Sequence, residues 1–230
     1  MIRNWARPSP ETVLSHRLLV FLGSGWLLLS WILVIGLKQP LLPTVHTWLP
    51  GVRMMLVMAS IGLVVVWPMA AMTTARAMRP GRTLRESIIL LILAQLIIWP
   101  AGLVTAWTPG RTSVLALALI GWGLVAAAVT AWGRVRPRAM ERMAAMSICL
   151  LIMLVAVIIS LADPSTTWAI PWSPATNLWS LAGGGIDPPR SSDWIHAAIL
   201  WAVAVVGWTV LLACPTDGCR LATQTRGSST

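Results

Sequence analysis

Residues 112–132 read TSVLALALIGWGLVAAAVTAW, an uninterrupted stretch without a charged side chain. A helix needs about 20 apolar residues to cross a hydrocarbon core about 30 Å thick, and this stretch is long enough. Backbone groups inside lipid find no outside hydrogen-bond partner, so a spanning segment must satisfy them internally as a helix. The stretch therefore predicts a transmembrane helix.

Five further charge-free stretches of similar length occur elsewhere in the chain. Of its 230 residues, 57% are hydrophobic and 10% are charged, and the mean hydropathy is +0.78. A soluble domain does not expose so much apolar surface, and the alternating pattern of a membrane β-barrel is absent. We predict an all-α polytopic membrane helix bundle with six transmembrane helices, over residues 18–37, 54–73, 87–107, 112–132, 143–161 and 195–213.

The basic residues are distributed unevenly between the two ends of this predicted bundle. Most of the 17 lie in the N-terminal segment 1–17, in the second and fourth loops, or in the tail 214–230. Because basic loops stay in the cytoplasm, both termini are predicted to be cytoplasmic, in the inner (plasma) membrane of the cell, with the tail disordered. Topology and anionic lipid account for the net charge of +10, and no nucleic-acid partner is expected. The exceptions on the outer side are Lys38, Arg53, Arg111 and Arg190.

The loop before the last predicted span, residues 163–194, reads DPSTTWAIPWSPATNLWSLAGGGIDPPRSSDW and faces outward in this topology. Ser173 and Pro174 suit the N-cap and first position of a helix. They predict a short interfacial helix on the outer membrane surface, followed by a turn at residues 183–185. Its tryptophans either anchor a cap at the lipid headgroups or form an outer gate or partner surface, for which the candidates are Trp172, Trp179 and Trp194.

Other residues that could carry chemistry are few. His46 and His196 both lie on the predicted outer side and could clamp a haem iron, but ordinary interfacial histidines explain them without a cofactor. Cys214 and Cys219 have no histidine or carboxylate companions at metal-ligand spacing. We therefore assign no catalytic, cofactor-binding or metal residue, and we do not expect an enzyme.

Two local patterns bear on how the predicted helices pack. Gly123, Ala127 and Ala131 recur at four-residue spacing, which lets two membrane helices approach closely and predicts a tight seam in the bundle or in a dimer. The prolines of Trp67-Pro68 and Trp99-Pro100 each remove a backbone donor, so they predict kinks in the second and third spans.

The layout resembles the membrane subunit of type-two ABC exporters: a basic start, six spans and both ends inside. RPGRTLRES at residues 79–87 is similar to the ER-x-x-G-T-L-E turn of that family, and WSPATNLWSL at 172–181 is similar to its outward re-entrant region. The resemblance implies export of a hydrophobic or amphipathic substrate with a separate cytoplasmic ATPase, in a homo- or hetero-oligomer. The implied docking residues are Arg82, Thr83, Leu84, Arg85 and Glu86, with Thr83 capping a helix that has Glu86 at its third position.

A second resemblance is to the Yip family of polytopic membrane proteins. ARPSPETV near the N-terminus and the Gly81–Glu86 segment before the Pro100-containing span are similar to patterns in bacterial members, although that family usually has five spans. This resemblance implies a non-catalytic structural or assembly subunit of a membrane complex. The two functions stay open at the level of sequence.

Overall fold

The computed structural model describes residues 10–33, 44–73, 80–136, 138–163, 165 and 167–213. Within these ranges the chain forms helices and no strand, so the predicted all-α class is confirmed. A π-helical turn, Gly62–Val66, joins α2 to α3, and a 3-10 helix, Thr167–Trp172, precedes α7. The α-helices are α1 Pro10–Trp31, α2 Val45–Ile61, α3 Trp67–Thr73, α4 Pro80–Val104, α5 Pro109–Val135, α6 Ala139–Ala162, α7 Pro174–Ala182 and α8 Ser191–Ala213.

Within the described ranges, five helical stretches are long and apolar enough to cross a membrane: Thr47–Thr73, Pro80–Val104, Pro109–Val135, Ala139–Ala162 and Ser191–Ala213. They coincide with the last five predicted spans. The first predicted span, 18–37, falls on α1, whose described apolar part, Phe21–Trp31, is shorter than a span, and residues 34–37 lie outside the described ranges. Six spans and cytoplasmic termini stay predictions, and so does the disorder of residues 214–230, which also lie outside the described ranges.

The helices extend beyond the charge-free stretches that predicted them. α2 begins at Val45, because Thr44 and Thr47 form a reciprocal capping box, and it continues through Arg53 into the apolar stretch. α4 begins at Pro80, so the predicted cap at Thr83 is wrong: Thr83 lies inside the helix, one turn from its start. A charged residue limits the apolar part of a helix without ending the helix itself.

Helix α5 lies at the centre of the bundle and packs against α4, α6, α7 and α8. Small residues allow these contacts: a β-carbon on Gly123 would lie 2.6 Å from Leu91 of α4, and one on Gly121 would lie 2.7 Å from Leu200 of α8. Ala127 and Ala131 are fully buried. The predicted seam of small residues is confirmed, and it lies within one chain.

The two tryptophan-proline pairs have different effects. Before Pro68 the helix widens into the π-helical turn, in which the amide of Trp67 donates to the carbonyl of Gly62. The kinks expected in the second and third spans stay predictions. Pro100 lies inside α4, which continues to Val104. A proline can be carried in a membrane helix when neighbouring groups adjust to the missing donor.

Two tryptophans connect α8 to α5 through their indole N–H groups. Trp201 Nε1 donates to the carbonyl of Leu117 at 3.0 Å, and Trp208 Nε1 donates to that of Leu124 at 3.1 Å. Residues seven apart lie on the same face of a helix, so both bonds belong to one contact. These two tryptophans therefore contribute to helix packing, whereas tryptophan in membrane proteins is more often found at the lipid interface.

Candidate functional site

The segment between α6 and α8 folds back over one end of the bundle. Helix α7 packs on α2, α5 and α6, and its Leu178, Leu181 and Ala182 are buried. The predicted short helix is confirmed, with Ser173 at the N-cap position and Pro174 in its first turn. The Ser173 hydroxyl makes no cap hydrogen bond; it donates to the carbonyl of Met153 on α6 at 2.7 Å and so attaches α7 to the bundle.

Arg53 of α2 holds the exposed side of α7. Its Nε donates to the backbone carbonyl of Trp179 at 3.1 Å, and its guanidinium carbon lies 4.7 Å from the centre of the Trp179 ring. A cation over an indole face is attracted by the ring quadrupole. The half-exposed Trp179 therefore has a defined partner within the chain.

Arg111, in the first turn of α5, holds the turn after α7. Its guanidinium donates to three backbone carbonyls: Leu181 at 2.7 Å, Asp187 at 2.8 Å and Pro188 at 3.2 Å. The residue is only 6% exposed. Carbonyl dipoles solvate this cation, but they do not neutralise it, so its positive charge remains inside the fold.

The Gly-Gly-Gly turn is explained by these two arginines. A β-carbon on Gly183 would collide with the Arg53 guanidinium, and one on Gly184 would collide with that of Arg111. Gly185 has φ +57°, a left-handed conformation that glycine adopts at little cost. The turn predicted at 183–185 is present, and each glycine in it has a separate structural reason.

A cavity of about 720 Å³ opens between α7, its following turn and the ends of α2, α5 and α8. It is lined by three arginines, Arg53, Arg111 and Arg190, and by two aspartates, Asp187 and Asp193. Among the described residues, the ion pairs involve arginines of the opposite end, and none involves these three. Because the arginines outnumber the aspartates, the cavity carries a net positive charge.

The three tryptophans predicted to form an outer surface lie on three different elements, the 3-10 helix, α7 and α8. Trp179 lines the cavity, whereas the exposed Trp172 packs edge-on against His196, with ring centres 6.3 Å apart. Trp194 is exposed on α8. Nδ1 of His196 lies 2.7 Å from the carbonyl of Ser192, and the side chain of His46 lies outside the described residues.

At the opposite end of the bundle, the predicted docking residues divide into buried and exposed groups. Thr83 and Glu86 are fully buried, and Arg134 of α5 donates to both, at 3.1 Å to the Thr83 hydroxyl and 2.8 Å to a Glu86 carboxylate oxygen. Arg85 is exposed, and Arg82 and Leu84 are partly exposed. A docking surface here would use the latter three residues, with Thr83 and Glu86 holding α4 against α5.

A second cavity, of about 500 Å³, is a lateral groove between α4, α5 and α8. Apolar side chains line it, together with Gln95 and Thr209. The Gln95 amide nitrogen is buried and has no hydrogen-bond partner in the described part of the chain. The groove has the composition of a lipid-facing surface and lacks the charged groups of the first cavity.

Sequence reasoning placed Arg53, Arg111 and Arg190 on the outer side but gave them no role. A signal was available, because basic residues are disfavoured on that side of a membrane protein and an outer arginine therefore calls for a reason.

The chain matches no protein-family model, no curated protein and no solved structure.

Proposed function

We propose that the chain is the membrane-embedded, permease-like subunit of an exporter that moves a hydrophobic or amphipathic substrate and draws energy from a separate cytoplasmic ATPase. The main support for this proposal is that the 3-10 helix and α7 fold back over one end of the bundle, where they enclose a cavity of about 720 Å³. A substrate leaving a membrane bundle needs an opening at one end, and this cavity supplies both polar and apolar walls.

In this proposal the Arg134 end faces the cytoplasm and the cavity faces outward, because the basic loops belong inside. The ATPase would dock near the start of α4, where Arg85 is exposed and Arg82 and Leu84 are partly exposed. The buried pair of Glu86 and Arg134 ties this part of α4 to the central helix α5. Movement of the docked ATPase could reach the bundle through that contact.

The test is purification from the native membrane in mild detergent, followed by reconstitution with the ATPase that is recovered. Arg85→Glu reverses an exposed charge at the proposed contact and is expected to weaken recovery of the ATPase. Arg138→Glu is the matched control, since Arg138 is also exposed at this end but lies at the start of α6. A chain that purifies alone, and that gives no nucleotide-dependent flux with an ATPase encoded beside it, would remove the proposal.

The alternative is a structural or assembly subunit that transports nothing, and the packing of α5 favours it. Leu115, Leu119, Ala127 and Ala131 are all buried, so the centre of the described bundle is filled by side chains. The described charged residues of α4 and α5 lie near the helix ends, whereas ion-coupled carriers usually keep an ionisable group at membrane depth. Recovery of a stable complex that lacks any ATPase would favour this second function.

A further inference from the structure

We infer that the arginine-lined cavity at the α7 end is a binding site for a phosphate group. This inference goes beyond the proposed function, since the chain could bind such a group whether or not it exports anything. The chain has four basic residues on the predicted outer side, and three of them line this one cavity: Arg53, Arg111 and Arg190. The convergence of cations at the end where they are disfavoured is the observation from which the inference starts.

The charge balance supports an anionic occupant. Asp193 accepts a hydrogen bond from the backbone amide of Arg190 at 2.9 Å, and Asp187 is exposed. Neither carboxylate forms an ion pair with a described arginine, and the three guanidinium groups leave the cavity with an excess of one positive charge. A charge that is kept partly out of water is best offset by a hydrogen-bonded anion.

Two of the three arginines are also held in position before any ligand arrives. Arg111 is fixed by three carbonyls, and Arg53 by the Trp179 carbonyl and ring. These contacts use three of the five N–H donors of Arg111 and, for Arg53, the Nε donor. Arginine presents its donors in a planar fork that matches phosphate oxygens, and a preordered fork loses less side-chain entropy on binding.

The remaining walls indicate where the phosphate comes from. Val57, Ile170 and Leu181 contribute apolar surface next to the arginines, at an end of the bundle where tryptophans are half-exposed. This combination suits an amphipathic phospholipid whose headgroup enters the cavity while its chains stay in the membrane. A free phosphate ion shares the recognised chemistry but leaves the apolar walls unused.

Binding can be measured on the purified full chain in neutral detergent. The probes are phosphatidylglycerol, a diacylglycerol with the same acyl chains, and inorganic phosphate, with bound lipid counted by native mass spectrometry and phosphate followed by calorimetry. Arg53→Gln and Arg190→Gln are each expected to weaken phosphatidylglycerol binding about tenfold, because each removes a charge-assisted hydrogen-bond donor. Arg138→Gln, which removes an exposed arginine at the opposite end, is the matched control and should leave binding unchanged.

Arg190→Gln keeps the test decisive if loss of Arg53 disturbs α7, because Arg190 is exposed and its described hydrogen bond uses the backbone amide. Phosphatidylglycerol binding that depends on both arginines supports the lipid source. Inorganic phosphate binding with the same dependence supports the site with a soluble source. The inference is overturned if all three variants lose phosphatidylglycerol binding equally, or if none of them loses it. It is also overturned if diacylglycerol binds as tightly as phosphatidylglycerol.

Discussion

Replacing Glu86 by glutamine should destabilise the bundle far more than its position near the end of a helix suggests. The carboxylate is fully buried and lies 2.8 Å from Nη1 of Arg134, whose side chain is 1% exposed. Removing one partner of a buried pair typically costs about 3–5 kcal/mol, because the other charge is left uncompensated away from water. Glutamine keeps an amide oxygen that can accept from Arg134, so we expect a loss near the lower limit, about 3 kcal/mol.

The chain offers a matched control at the same end. Glu141 and Arg136 form an ion pair at 3.2 Å, with side chains 22% and 49% exposed. Such pairs contribute roughly 0–1 kcal/mol, so Glu141→Gln should change the free energy of unfolding by less than about 1 kcal/mol. Added salt should weaken the exposed pair and leave the buried pair almost unaffected.

The assay is unfolding in mixed micelles with increasing mole fraction of sodium dodecyl sulfate, followed by near-ultraviolet circular dichroism. A double-mutant cycle with Arg134→Gln isolates the pairwise energy, since residues in direct contact are not additive. The reasoning is refuted if Glu86→Gln and Glu141→Gln lower the free energy of unfolding by the same small amount.

Three further predictions concern single side chains. Trp208→Phe removes the indole donor to α5 and should lower the free energy of unfolding by about 0.5–1.5 kcal/mol in the same assay, and an unchanged value would show that the bond is unimportant. Gly184→Ala pushes a methyl group into the fixed Arg111 guanidinium and should cost about 1–3 kcal/mol, whereas Gly81→Ala, which has open space around it, should be neutral or slightly stabilising. Trp179→Phe keeps the backbone carbonyl that Arg53 uses and should be nearly neutral, while Trp179→Ala should lose a cation–π contact of about 0.5–1 kcal/mol, measured as a lower thermal midpoint. Equal midpoints for these two variants would contradict that role for the ring.

The apolar helices could be predicted from sequence because the signal for each is local. A run of about 20 apolar residues forms a helix in lipid whatever its neighbours are. The start of α7 was also predictable, because Pro174 suits the first turn of a helix through its fixed φ. Ser173 takes the predicted N-cap position, but its hydroxyl donates to Met153 of α6 and not to its own turn. The helix ends were predicted less well, because Arg53 and Glu86 were treated as limits and both lie inside helices.

The cavity could not be predicted, because its contacts join distant parts of the chain. Arg53 donates a hydrogen bond to the carbonyl of Trp179, which is 126 positions away in the sequence. Arg111 donates to the carbonyl of Leu181, which is 70 positions away. The acceptors are backbone carbonyls, which every residue carries, so no letter of the sequence marks them. The pairing of Glu86 with Arg134 was missed for a related reason, since the two residues are 48 positions apart in the sequence.

The paired indole bonds of Trp201 and Trp208 also fix the depth of the last helix. Helix α8 rests mainly on α5, and its lipid side carries large exposed residues such as Val203, Val206 and Val210, which would tolerate a vertical slide. A slide of about half a turn, roughly 2.7 Å, would separate both donors from Leu117 and Leu124 at once and leave two N–H groups between successive carbonyls, unpaired in hydrocarbon. These two hydrogen bonds together therefore determine how far the end of α8 lies from the membrane centre.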